Sequence, residues 1–360
     1  MYLKKIYYSI KSLCILWNAV KRKFIFRIFL LTLSIFGLIA SLSLIIDFAS
    51  IILESEENYT IIVLPDTQHY PEYYPYIFDN QTQWITENID PLNIVFVTHL
   101  GGIVEHSNNI TQWENANRSM SKLDNKVPYG VLPGNHDGFY ETLTNYNKYF
   151  GIDRFKGQSW YGGAYQQNNT NNYHLFSAGK RDYLIFHLAY DPDNATHAWA
   201  NNIIDNNPTR TVIISTHRFM AGHGGDQRSP DGDKMWENLV KPHSDQIILV
   251  QSGHLPTEEK RTDIVNGNPV HQLLIDYQNR ENGGNGWLRI LEFSPTQNKI
   301  FVKTFSPYLN EFENDADSQF TLDISRPPIN DDSFSFLIVA VLISLVVVGF
   351  LVMYLIKRRI

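Results

Sequence analysis

Short apolar runs punctuate the middle of the chain. Residues 60–64 (TIIVL), 93–98 (NIVFVT), 127–132, 183–188, 210–215 and 246–251 each hold five or six mostly apolar positions. Such runs are too short for helices and too uniformly apolar for strands with one wet face, so they read as buried strands. Between them, residues 81–89, 110–123, 197–204 and 233–240 show the three- and four-residue apolar spacing of amphipathic helices. Strands alternating with helices predict an α/β layer architecture. After Gly253 the pattern becomes strands alone, at 270–277, 287–293 and 299–305, and predicts a second sheet built from hairpins. No repeat or sharp boundary interrupts this stretch, so residues 52–323 read as one domain.

Two longer apolar stretches flank that domain. Residues 28–46 and 334–356 run 19 and 23 residues without a charge, each near the roughly 20 residues a helix needs to cross hydrocarbon. Lys357, Arg358 and Arg359 follow the second directly, as a stop-transfer signal does. Seven basic residues in a leader over 1–27 precede the first; a leader of that length favours an uncleaved signal anchor over a cleaved signal peptide. The inner flanks carry acids instead: Asp47, Glu54, Glu56 and Glu57 on one side, Asp331 and Asp332 on the other. The positive-inside rule then predicts a membrane protein with both termini cytoplasmic and the main domain extracytoplasmic. Residues 324–333 (ISRPPINDDS) read as a stiff polar tether, and 357–360 as a basic cytoplasmic tail.

Charge sharpens this picture. The tails hold 10 of the 30 Lys and Arg but only Asp47 of the 37 acids, leaving 20 basic against 36 acidic residues in the middle, a net of −16. Such a surface repels polyanions, so no nucleic acid is expected as a partner. The one cysteine, Cys14, lies in the leader, which leaves the domain without disulfides or thiolate ligands. Six N-x-S/T sequons (at Asn58, Asn80, Asn109, Asn117, Asn168 and Asn194) fit an exterior location, although an Asn-rich chain produces sequons by chance.

The candidate chemistry lies where the strand-like runs end. Pro65-Asp66-Thr67-Gln68 follows the first, His99-Leu100-Gly101-Gly102 the second and Gly134-Asn135-His136-Asp137 the third. Thr216-His217 and Gly253-His254 close two later ones. Taken singly, each has an ordinary explanation: a turn aspartate, a tight glycine turn, a left-handed asparagine, a satisfied structural histidine. Together they are oxygen and imidazole donors on the strand-end side of an α/β sheet, the set that suits a hydroxide-activating divalent metal.

The order and spacing of these motifs resemble the calcineurin-like metallophosphoesterases over roughly residues 60–322. Segments such as QTQWITENI, NNYHLFSAG, RSPDG, VHQLLIDYQ and NGGNGWLRILEFSP are similar to a bacterial and archaeal branch with an Asp-Thr-Gln first motif. The resemblance implies a four-layer αββα sandwich. It also implies that Asp66 and Gln68 are ligands of a first metal and that Asn135, His217 and His254 are ligands of a second. His136 corresponds to the residue that protonates the leaving oxygen or steadies the phosphate.

Two positions depart from that pattern. Gly102 stands where the family has an aspartate bridging both metals, and Pro256 replaces the second histidine of a Gly-His-x-His motif. Two +2 ions ~3.5–4 Å apart repel by on the order of 18 kcal/mol even at an effective dielectric of 20, and a bridging carboxylate is the chief protein group that offsets this. The degenerate site is therefore expected to hold one metal (Mn, Zn, Fe or similar) rather than two, at the Asn135–His217–His254 set. Glu105, His106, His99 and His69 are candidates to compensate. The expected function is hydrolysis of a small or surface-attached phosphomono- or diester by a membrane-anchored enzyme. The alternative is a non-catalytic, surface-displayed pseudo-phosphoesterase serving as a binding or scaffold module. The Gly- and Asn-rich stretches 162–172 and 221–233 are expected to frame the pocket mouth.

Overall fold

The computed structural model describes residues 57–324 apart from 223 and 225, with scattered positions between 16 and 43 and at 354 and 357. The leader, both predicted spans, the tether and the tail lie wholly or mostly outside the described residues. Among those described, no helix is long and apolar enough to cross a membrane. The chain divides into two compact units, Ser55–Pro327 and a second formed by Met1–Glu54 with Pro328–Ile360; the sheets lie in the first.

That unit is a mixed α/β sheet sandwich. One sheet runs in the order Glu311–Glu313, Lys299–Ser306, Leu288–Ser294, Tyr59–Leu64, Ile94–His99, Tyr129–Gly130, with Phe320–Asp323 also paired to Lys299–Ser306. The other runs Tyr161–Ala164, Asn172–Ala178, Arg181–Leu188, Thr211–Thr216, Ile247–Ser252, Asn268–Ile275, Glu258–Val265. In the first the parallel strands form one end and the antiparallel strands the other; the second has a parallel centre flanked by antiparallel strands.

The apolar runs are strands because both faces are buried, and strand periodicity divides each run between two cores. In Tyr59–Leu64, Ile61 and Val63 join the cluster between the sheets, while Ile62 and Leu64 join a cluster under the helices. In Arg181–Leu188, Tyr183 and Ile185 point between the sheets, and Leu184, Phe186 and Leu188 point to helices on the opposite face. The helices follow their own periodicity. Pro75–Glu87 starts on proline and buries Ile77, Phe78, Gln81, Thr82 and Ile85 along one stripe. Ile110–Met120 is capped by the Asn109 side chain, which accepts from the Thr111 and Gln112 amides. This second helix also fixes a functional loop: Gln112 accepts from the His106 amide at 2.9 Å, and the Trp113 indole donates to the Ser107 carbonyl at 2.8 Å.

The expected second sheet is corrected in its membership. The strands after Gly253 do not form a sheet of their own. Asn268–Ile275 extends the central parallel array beside Ile247–Ser252, whereas Leu288–Ser294 returns to pair antiparallel with Tyr59–Leu64. The run at 127–132 yields a strand only at Tyr129–Gly130. Pro128, which has no N–H for a ladder, immediately precedes that strand.

A buried imidazole inside the sandwich leads to the first prediction. His174 is enclosed by the rings of Phe96, Phe155, Trp160, Tyr161 and His187, and burial holds its pKa at about 3, below the ordinary 6.5. The unfolded chain therefore takes up a proton below pH 6.5 while the folded one does not. The corresponding stability is present above pH 6.5 and drains away as pH falls toward 3. Replacing His174 with phenylalanine removes this penalty. Relative to wild type, His174→Phe should gain about 2 kcal/mol of unfolding free energy between pH 7.5 and pH 5. Urea titrations at both pH values measure it; equal pH dependence of the two proteins would refute it.

Candidate metal centre

The parallel strands end on one side of the sandwich, and the five predicted motifs follow them into a single cluster. Glycines let the loops close upon one another. A Cβ on Gly134 would lie 2.5 Å from the Gly102 nitrogen and 2.6 Å from His217 Cε1; one on Gly253 would lie 2.1 Å from Asp66 Oδ1. Neither position admits a side chain without displacing the site.

His217 is fully buried and anchors the centre. Its Nδ1 lies 2.9 Å from the Leu100 carbonyl, which can only accept, so Nδ1 carries the proton. Burial, and then the neighbouring His254, hold its pKa well below the ordinary value, so the ring is neutral and Nε2 is a bare lone pair. That lone pair faces Asn135 Oδ1 at 2.9 Å and Asp66 Oδ2 at 3.8 Å. Asp66 Oδ1 accepts the His254 amide at 3.1 Å, but Oδ2 is buried without a donor. An unpartnered buried carboxylate oxygen thus meets an amide oxygen and an imidazole nitrogen, donors of the kind a cation gathers. Burial, then the nearby Asp276 carboxylate, push the Asp66 carboxyl well above its usual range. The donor set fits a divalent metal.

The remaining predicted residues border this point. The His254 ring stands 5.0 Å from that of His217, centroid to centroid, and burial, then Arg218, lower its pKa to about 4. Gln68 Oε1 and Asp66 Oδ2 both face Gly102: a Cβ there would lie 3.1 and 2.6 Å from them. A side chain at this position would reach both of these tips, and would fit only if they shifted. Pro256 is exposed.

His136 lies beside this cluster and is held by Glu105. Its Nδ1 donates to the Glu105 carbonyl at 3.1 Å and is 3.4 Å from the Glu105 carboxylate, which leaves Nε2 for the substrate side. Gln68 Nε2 donates to the same carboxylate at 2.5 Å. His136 and Asn135 line a cavity of about 360 Å³ with Glu105, Ser107, Tyr140 and Glu141 among its walls.

Several expectations change. Of the four proposed compensators, Glu105 touches both Gln68 and His136, and His69 approaches Glu105 at 3.8 Å. His99 is buried behind the site, accepting from the Gly101 amide and bonding Thr67. His106 is largely exposed and faces Glu72 at 3.5 Å. Among the described residues, the cavity beside His136 is lined by residues 105–108, 135, 136, 138, 140 and 141.

Sequence reasoning missed Asp137, whose carboxylate accepts the Ile103, Val104 and Gly134 amides and so ties two motif loops together. It also missed Asp276 and the Tyr190 ring, which contacts both His217 and His254. Asp276 was visible only as part of VHQLLIDYQ, and nothing in its spacing aims it at Asp66.

A second acidic group, Glu258, Glu313 and Asp315, also brings ligand atoms within 4.8 Å of one another. Two of its three acids are already engaged by arginines: Arg280 reaches Glu258 at 2.9 Å and Glu313 at 2.6 Å, and Arg289 also pairs with Glu258.

A match to the calcineurin-like phosphoesterase family extends over residues 59–277. The chain belongs to this family. The family as a whole is one of metal-dependent phosphoesterases. A protein of Bacillus subtilis (strain 168), the uncharacterised YvnB, is 39% identical over 290 residues, covering 76% of this chain and 22% of its own length. This chain therefore spans less than a quarter of that relative. Among solved structures, a dimetal phosphatase from Danio rerio aligns with a TM-score of 0.51 at 10% identity, over 74% of this chain and 99% of its own. A purple acid phosphatase from yellow lupin (Lupinus luteus) seeds aligns with a TM-score of 0.50 at 13% identity, over 74% and 54%. At such identities the likeness speaks for the fold alone.

Proposed function

We propose that this calcineurin-like phosphoesterase is a membrane-anchored, extracytoplasmic hydrolase of small or surface-attached phosphomono- or diesters, working with one tightly held divalent metal. The observation that carries the reading is Asp66 Oδ2, buried without a donor, lying 3.8 Å from a His217 Nε2 that also meets Asn135 Oδ1 at 2.9 Å, beside His136. Asp66, Asn135, His217 and His254 would hold the metal, and Gln68, which shares the Gly102 side with Asp66, is a further candidate ligand. When bound, it supplies Lewis-acid stabilisation of charge on the transferred phosphoryl group.

The protein's own residues do the rest. Water adds to phosphorus as the ester P–O bond breaks, the leaving oxygen takes its proton from His136 Nε2, and the proton shed by the attacking water passes to solvent, from which His136 is reprotonated. The Glu105 carbonyl fixes the ring's orientation through Nδ1, and the Glu105 carboxylate faces the charge the ring carries when both nitrogens are protonated. The cavity beside His136 receives the leaving group. Residues 28–46 and 334–356 anchor the domain, with 324–333 as tether; support comes from the apolar lengths and the basic outer flanks.

Purified full-length chain, assayed with Mn²⁺, Zn²⁺, Fe²⁺ and Co²⁺ on phosphomono- and diesters, tests this reading. His136→Ala should lower kcat by ~10²–10⁴-fold, the usual contribution of a positioned acid. Elemental analysis should find one tightly held metal per chain; two would overturn the single-site assignment. A second reading, a non-catalytic binding module, is favoured by Gly102 and Pro256 alone. Metal binding without turnover on any ester would select it.

A further inference from the structure

We propose that Arg218 grips the non-bridging oxygens of the substrate's phosphoryl group, supplying fixed positive charge that a second metal would otherwise provide; this assignment rests on the phosphoesterase reading above. Arg218 directly follows His217, and its Nη1 donates to the Tyr190 hydroxyl at 3.0 Å. The Tyr190 ring lies 5.8 Å from that of His217, 5.1 Å from that of His254 and 5.5 Å from that of Tyr140, centroid to centroid. Tyr140 in turn lines the cavity that contains His136. The guanidinium is thus tethered one aromatic ring away from both histidines of the metal set, on a rim that continues to the proposed acid.

The head group is only partly used. Its contacts with Tyr190 and with Asp231, at 3.0 Å, both fall on Nη1, and Nε is buried without an acceptor among the described residues. The side chain remains 29% exposed, in contrast to Arg289, which is 1% exposed and sealed against Glu258. Of the charged side chains named around the centre, Asp66, Glu105, Asp137, Glu141, Asp276 and Asp231 are acids, the last paired with Arg218, and Arg218 is the fixed cation. A phosphate approaching so many acids needs such a group. The planar fork of arginine can give two parallel donors to phosphoryl oxygens, which the point charge of lysine does not reproduce.

The competing explanation is that Arg218 merely fastens its loop through Asp231. Full-length protein loaded with metal separates the two, with inorganic phosphate as the calorimetric probe. Arg218→Met should bind phosphate roughly 10- to 100-fold more weakly, the range for a lost charge-assisted pair, with metal content unchanged. Arg218→Lys should fall between, and in turnover KM should rise more than kcat falls. Asp231→Asn, which breaks the ion pair but keeps the cation, should bind phosphate at least as tightly as wild type. Phosphate affinity unchanged in Arg218→Met, or lost equally in Asp231→Asn, overturns the assignment. If wild type turns over esters while Arg218→Met is indifferent, this assignment alone falls. If metal-loaded wild type neither binds phosphate nor hydrolyses any ester, the phosphoesterase reading falls and takes this one with it.

Discussion

Replacing His217 with alanine should strip the bound metal and reduce turnover by at least about 10³-fold, the scale of several kcal/mol of lost Lewis-acid stabilisation. The imidazole contributes the one neutral nitrogen in the convergent set, and its lone pair is aimed by the proton fixed on Nδ1. Without it, Asn135 Oδ1 and Asp66 Oδ2 remain with only the His254 ring, 5.0 Å from the lost imidazole, to complete the set. The variant also leaves the Leu100 carbonyl without its donor, at a cost of ~1–3 kcal/mol in stability, and opens space beneath Gly101 and Gly134. His217→Gln fills part of that space and serves as the folding control. It should retain a cooperative unfolding transition while metal content still drops. Elemental analysis of both variants decides the matter: either one holding metal as wild type does would remove His217 from the ligand set.

The features most legible in the sequence were those set by local pattern. Each motif directly follows an apolar run, so its place at a strand end could be read from two adjacent stretches of chain. Pairing partners could not. Nothing in 287–293 says that it returns across most of the chain to lie beside Tyr59–Leu64. Outer strands escaped for a related reason: Glu258–Val265 has a wet face and reads as a charged loop (EEKRTDIV), and Asn172–Ala178 begins and ends on polar or small residues. In the site, ligand candidates were visible by residue type, but the residues that orient them were not. Glu105 gained its role through contacts with Gln68 and His136, Asp137 through three amides of two loops, and Tyr190 through two histidines 27 and 64 positions further on. His99 shows the converse. Its type and loop suggested a spare ligand, but the strand carries it inside, where it holds Thr67 in place.

Gly102→Asp should make the protein's stability depend more strongly on metal. The backbone at this position has φ +59°, a left-handed conformation that aspartate tolerates better than most residues. The new Cβ would meet Asp66 Oδ2 at 2.6 Å and Gln68 Oε1 at 3.1 Å, both tips of side chains that can shift rather than backbone that cannot. The cost is therefore mainly electrostatic. Two carboxylates ~4 Å apart repel by on the order of 4 kcal/mol at an effective dielectric of 20, and Asp66 already feels Asp276. In chelator the variant should be less stable than wild type by roughly 2–4 kcal/mol, part of the repulsion being relieved by protonation. In excess Mn²⁺ or Zn²⁺ the repelling pair becomes a bridging ligand set, so the deficit should close or reverse and metal content should rise above one per chain. Unfolding midpoints with chelator and with metal measure the exchange. A variant as stable as wild type in chelator, with no additional metal, would mean that the space beside Gly102 does not open onto the unpartnered oxygen of Asp66.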